Sequence, residues 1–168
     1  ATDVGEGEQG GAISPGAVGF DINCGVRAVA LNISANEIPN LEKLARRLNG
    51  RIPAGGSGKG GVNITEAELN MILRAGLNEL DSIDVGQHHT MGSVESDGCF
   101  EVDELSISRR AKQRGLKALG TLGSGNHFLE LQKVSQIVDH ETARQWNLDE
   151  NQVVAMIHSG SRGLGHQV

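Results

Sequence analysis

Aromatic rings are scarce in this sequence: three Phe, one Trp and no Tyr among 168 residues. That argues against a base-stacking sheet of the RRM kind, which presents several rings on neighbouring strands. Any contact with RNA has to run through phosphates and metal instead. Cysteine is nearly as rare, with Cys24 and Cys99 alone. Two thiols build no disulfide framework, so the expectation is a reducing, soluble compartment. No apolar run reaches the ~18 residues that a membrane span needs. Positive charge is in deficit: 15 basic against 21 acidic residues leave a net charge of −6 with the six histidines neutral. A generally basic, nucleic-acid-coating protein is thereby excluded. The stretch Ala1 to Gly11 is acidic and glycine-rich, without the basic start and apolar core of a signal peptide, so nothing marks it for export.

Glycine is plentiful, at 24 of 168 residues, about twice the usual ~7%. Together with an ordinary apolar content it predicts a globular chain with much bare backbone. AVGFDINCGVRAVAL, residues 17 to 31, alternates apolar and polar and then turns nearly all apolar, as a strand pair running into a buried sheet would. Its polar interruption, Asp21 to Gly25, is placed at a strand end or bend. Leu41, Leu44, Ala45 and Leu48 recur at helical spacing between Pro39 and Gly50, which predicts an amphipathic helix. A loop over 51 to 61 follows. A second helix opens at Thr65, where Thr65 and Glu68 have capping-box spacing, and runs through Leu69, Ile72, Leu73 and Leu77. Residues 81 to 108 read as an irregular excursion. The basic run SISRRAKQRGLKA, residues 106 to 118, is read as helical up to Gly115. A strand over Phe128 to Val134, a short helix around Glu141 to Trp146 and a strand over Val153 to Ile157 complete the order, the last delivering His158 to a loop. No repeat or clean linker is visible, so the chain is one domain or part of one.

Three polar clusters lie beside these strands: Asp21 with Cys24, Asn126 with His127, and His158 with Arg162. They supply a carboxylate, a thiolate and two imidazoles. Thiolate and imidazole favour zinc, manganese or iron over calcium. D-x-x-C spacing lets an oxygen and a sulfur converge from one tight turn, and a two-metal site becomes conceivable. Each cluster also has a plainer explanation. Cys24 alone is more simply a small buried hydrophobe, Asp21 a turn cap, and His127 and His158 hydrogen-bonded core residues. Those explanations weaken jointly, because each polar group lies beside glycines that serve no core-packing purpose.

The stretch GTLGSGNH offers Gly120, Gly123 and Gly125, whose N–H groups can form an anion-binding nest. GSGKGG is no P-loop: Pro53 stands where the first Gly belongs, and Gly60 follows Lys59 in place of Ser or Thr. Residues 54 to 61 are read as a flexible surface loop, with phosphate contact through Lys59 as the lesser alternative. His88, His89 and His140 are expected to face solvent, His166 is ambiguous, and Cys99 is taken as structural. The run from Arg109 to Lys117 is a solvated helix face or, as the second reading, a device that steers phosphates.

Taken together, SPGAVGFDINCGVRA (14 to 28), LGTLGSGNHFLEL (119 to 131) and MIHSGSRGLGHQV (156 to 168) resemble the signature segments of the RtcB-type RNA ligase family, in the same order. The resemblance spans the chain. It implies an α/β (α+β) fold with mixed sheets and flanking helices, residues 1–168 forming a partial catalytic domain. It also implies a cytoplasmic, GTP- and manganese-dependent ligase that joins RNA 3′-phosphate or 2′,3′-cyclic phosphate ends to 5′-hydroxyl ends, as in tRNA splicing and RNA repair. Carried over by motif, Asp21, Cys24, His127 and His158 are metal ligands at the catalytic centre, with the Cys24 sulfur bridging two Mn2+ ions. Asn126 and Glu130 match positions near the guanine nucleotide, and Arg162 matches a phosphate-contacting arginine. Implied partners are RNA ends such as tRNA halves and an archease-type activator, with no membrane.

In the family mechanism a histidine attacks the α-phosphate of GTP, guanylate passes to the RNA 3′-phosphate, and the 5′-hydroxyl displaces GMP. That histidine and a further metal histidine have no counterpart among the motifs present. The resemblance therefore implies part of an active site that does not complete the reaction alone. Two other classes compete: a non-catalytic metal- or RNA-binding remnant, and a metal-dependent phosphoesterase that activates water with the same cluster.

Overall fold

The computed structural model describes residues 19, 21–55, 61–80, 82–83 and 94–168. Its sheet has three strands in the order β1-β3-β2, where β1 is Gly25–Ser34, β2 is Phe128–Lys133 and β3 is Gln152–Ser159. Both pairings are antiparallel, so among the described residues the expected mixed sheet is an antiparallel one. The central strand is the last in sequence. It pairs Val26 with His158 on one side and Phe128 with His158 on the other.

That register decides where the polar clusters go. β1 and β2 run opposite to β3, so the segments preceding β1 and β2 lie at the same end of the sheet as the segment following β3. Asp21 and Cys24 precede β1, Asn126 and His127 precede β2, and Arg162 follows β3. Clusters more than a hundred residues apart thereby meet. His158 is itself a paired strand residue rather than part of the loop expected from the sequence, since β3 continues to Ser159.

Asn40 caps helix α1 (Leu41–Arg51) by accepting from the Lys43 N–H. Gly50 lies inside α1 rather than beyond it, because the helix bonds continue to the Ile52 N–H. The apolar face of α1, with Leu41, Leu44 and Leu48, lines a groove shared with Leu122, Leu129 and Leu131. The Thr65 and Glu68 capping box opens α2 (Glu66–Ala75) as expected: Glu68 accepts from the Thr65 N–H at 2.6 Å, and Thr65 Oγ1 accepts from the Glu68 N–H at 3.2 Å. Ser108 caps α3 (Arg109–Ala118), which runs through Gly115, and Asp139 caps α4 (His140–Gln145). A short α5 (Arg162–Gly165) packs Leu164 on Gly115 of α3. Residues 94–108 hold one 3-10 turn and no strand or α-helix, in keeping with an irregular excursion.

Buried apolar side chains are few among the described residues: Leu69, Ala111, Ala143 and Val153. The strand pair expected over residues 17 to 31 is a single strand from Gly25 on, paired with β3; residues 17, 18 and 20 lie outside the described residues. Nor is this end of the sheet buried, since Val26 and Val29 are about half exposed. Lys59, His88 and His89 also lie outside the described residues. No helix among the described residues is long and apolar enough to cross a membrane.

Candidate metal centre

The turn Asp21–Cys24 closes with the Cys24 N–H donating to the Asp21 carbonyl at 2.9 Å, and Asn23 takes φ +60° to allow it. One tight turn thus brings the carboxylate and the thiol to the mouth of β1. Cys24 Sγ lies 3.3 Å from His127 Nε2 and 3.2 Å from His158 Nε2. Sulfur and the two imidazoles form a three-donor group within 4.8 Å. Asp21 approaches from the His127 side, its Oδ2 2.9 Å from His127 Nε2.

Two of these side chains, His127 and Asp21, are also held at their second atoms. His127 Nδ1 sits 3.0 Å from the Leu122 carbonyl, which assigns its proton there over the Arg162 guanidinium nitrogen 3.5 Å away. Nε2 is then the ring atom that faces a carboxylate oxygen and a sulfur. A carboxylate, a sulfur and an imidazole nitrogen thus converge at a side chain only 4% exposed. The donor set therefore fits a divalent transition metal. Ser159 Oγ also donates to the Leu122 carbonyl, at 2.8 Å, so one backbone oxygen joins the end of β3 to the His127 ring. Phe128 meets the His158 ring edge-on, with centroids 5.5 Å apart.

On the carboxylate side, Asp21 Oδ1 accepts the Arg162 N–H at 2.6 Å and the Ser161 hydroxyl at 3.2 Å. Oδ2 is left toward His127. Arg162 holds φ +56°, a left-handed conformation that a side chain other than glycine adopts only when its surroundings enforce it. Its Nη2 donates to the Gly55 carbonyl at 3.1 Å, while its buried Nε has no partner among the described residues. Such outer contacts fix ligand orientation and tune affinity.

Two glycines are required by close approach. A Cβ on Gly123, at φ +113°, would stand 2.2 Å from both His127 Nδ1 and an Arg162 nitrogen. One on Gly160 would stand 2.8 Å from Asp21 Oδ1 and from the Cys24 Cα. Gly123 thus makes room for the His127 and Arg162 side chains, and its carbonyl accepts the Gly55 N–H at 2.6 Å.

Of the residues singled out from the sequence, Asp21, Cys24, His127 and His158 come together, and Asn126 and Arg162 line the cavity beside them with Ser124. Glu130 does not line it; on β2 it accepts from Gln132 at 2.9 Å. Cys99 donates weakly to the Arg74 carbonyl at 3.6 Å, and His140 starts α4 at the surface. Sequence reasoning missed the Leu122 carbonyl, Ser159 and Ser161. A backbone oxygen leaves no mark in a sequence, although both serines stand within three residues of His158.

A family model described as tRNA-splicing ligase RtcB matches residues 3–168. A protein called tRNA-splicing ligase RtcB from Methanococcus maripaludis is 45% identical over 163 residues, covering 96% of this chain and 34% of its own length. Its namesake from Aeropyrum pernix is 44% identical with the same coverages. An RNA-splicing ligase RtcB homolog 2 from Entamoeba dispar is 44% identical, covering 93% of this chain and 30% of its own. The chain spans about a third of the length of these curated relatives.

Proposed function

The chain belongs to the RtcB family, and on that premise we propose that it carries the metal-binding part of an RNA ligase active site. The reaction is the joining of RNA ends bearing a 3′-phosphate or 2′,3′-cyclic phosphate to 5′-hydroxyl ends, with Mn2+ and GTP as cofactors. tRNA halves are the proposed substrates, an archease-type protein the proposed activator and the cytoplasm the proposed location. The convergence of Cys24, His127 and His158, with Asp21 against His127, is the observation that carries this reading.

Asp21, Cys24, His127 and His158 would hold the cations, a reading supported by Cys24 Sγ standing 3.3 and 3.2 Å from the two imidazole nitrogens. Bound manganese would offset negative charge on the phosphoryl oxygens as bonds to phosphorus form and break. The chain's own residues prepare for that charge. Leu122 keeps the His127 proton on Nδ1, so Nε2 stays available as a donor. Ser161 and the Arg162 N–H turn Asp21 toward His127. The unpartnered Arg162 Nε–H, buried at the cavity wall, suits an anionic oxygen. Asn126 and Glu130 are assigned to the guanine nucleotide, and none of the six histidines is assigned as the guanylate acceptor.

The test offers the protein carrying this segment a 2′,3′-cyclic-phosphate RNA and a 5′-hydroxyl RNA, with Mn2+ and GTP, and resolves the products. Joined RNA that disappears in Cys24→Ser, together with lost manganese uptake, is expected. Hydrolysed ends without joining would make this a phosphoesterase, and bound metal over unchanged RNA would make it a binding module. A stable histidine–guanylate adduct on this chain by itself would overturn the assignment of the acceptor.

A further inference from the structure

The α3 face that points away from the protein is a row of cations in an acidic chain. Ala111, Lys112 and Gly115 are buried on the inner side. Arg109, Arg110, Gln113 and Lys117 are exposed on the opposite side, with Arg114 at its margin. A rise of about 1.5 Å per residue spreads these positions over about 12 Å. The chain's formal net charge is −6, and α3 carries five cations and no acid.

Two arginines on other helices find carboxylates: Arg46 pairs with Glu42 and Arg74 with Glu104, both at 2.5 Å. Among the described residues no carboxylate lies within ion-pair distance of Arg109, Arg110, Arg114 or Lys117, and Arg114 bonds the neutral Gln167. Like charges left together repel, and among the described residues no acid offsets the row, so a polyanion from outside the chain would relieve it. The face holds no apolar side chain to insert into a lipid layer and no ring to stack on a base. A polyanion backbone is what it can hold.

The row is also tied to the metal centre at both ends of its packing. α3 leads through Leu119 and Gly120 into the segment holding Leu122, Gly123 and His127. Its inner side meets α5, where Leu164 lies on Gly115 and Arg114 flanks Gly163, one residue beyond the Arg162 that holds Asp21.

We propose that the outer face of α3 binds the phosphate backbone of the RNA substrate without regard to sequence. This rests on the ligase reading for the identity of the polyanion. It adds that Arg110 and Lys117 contact phosphates away from the reacting ends.

Arg110→Ala/Lys117→Ala is compared with the unaltered chain, both loaded with manganese, in binding a fluorescent single-stranded RNA between about 50 and 200 mM salt. Two lost phosphate contacts should lower the slope of log affinity against log salt by about 1.4, at about 0.7 per contact. Affinity at the lowest salt should fall several-fold or more, manganese stoichiometry should hold, and Arg46→Ala should leave the slope unchanged. An unchanged slope in the double variant overturns the proposal while leaving the ligase reading to its product assay. So does absence of RNA binding by the unaltered, metal-loaded chain. Anionic vesicles bound through the same two residues, with RNA affinity unmoved, would assign the face to lipid and overturn it as well.

Discussion

Adding one methyl group at Gly123 should separate the metal centre from the fold that carries it. At φ +113° the alanine backbone is strained, and the new carbon lies 2.2 Å from His127 Nδ1 and from an Arg162 nitrogen. Left-handed strain costs about 1–3 kcal/mol. The contact adds a second effect, because the His127 ring cannot keep its 3.0 Å bond to Leu122 and also clear the methyl. Disturbing a ligand's outer hydrogen bond lowers metal affinity about 10- to 100-fold, equal to about 1.4–2.7 kcal/mol. Gly125→Ala is the control: it lies two residues on with φ +76°, and nothing lies within 4 Å of its added carbon. Urea unfolding in chelator should show both variants destabilised by about 1–3 kcal/mol. Cobalt titration, followed through thiolate-to-metal absorption, should show weakened binding for Gly123→Ala only. Equal cobalt affinity in Gly123→Ala and the unaltered chain would refute the orientation argument.

Leu69, 2% exposed, is one of few fully buried side chains, so Leu69→Ala should lower unfolding free energy by about 2–5 kcal/mol, read from the urea midpoint. Asp139 is held below the usual aspartate range, first by the Thr142 hydroxyl and then by backbone N–H groups of Thr142 and Glu141. A depressed acid stabilises the fold above its unfolded pKa and loses that contribution as pH falls through the folded one. Between pH 7 and pH 3, Asp139→Asn should therefore lose less stability than the unaltered chain, measured by urea midpoints at each pH; parallel losses would exclude Asp139 as a source of the acid sensitivity.

The parts of the fold legible in the sequence are those governed by local chemistry. Thr65 with Glu68 announces a helix start because the two side chains complete each other's bonds within one turn. The Leu41, Leu44, Ala45 and Leu48 spacing marks α1 for the same local reason, whereas the position of Gly50 inside it depends on continuing backbone bonds that composition does not reveal. The ligand types were legible as well, since Asp21, Cys24, His127 and His158 stand beside glycines at strand ends. Their meeting was not, because it follows from β3 pairing with both β1 and β2, a long-range choice made by register. The antiparallel sheet was hidden too, as the apolar runs forming it do not encode direction. Glu130 stands on β2 beside Gln132, outside the wall of the cavity next to Cys24, and no local signal in the sequence places it there or elsewhere.

Because β1 and β2 are not paired with each other and each is measured against β3, the central strand acts as the ruler of the site. The irregular stretch over 94–108, which holds none of the residues around Cys24, can gain or lose residues without altering what stands beside it. β3 tolerates no such change near its end. A single residue inserted between Val154 and His158 would turn the imidazole to the opposite face, toward the side of Leu129 and Leu131. Two would restore the facing but displace it by about 7 Å. Length variation among relatives should accordingly collect in the connections and spare that one strand.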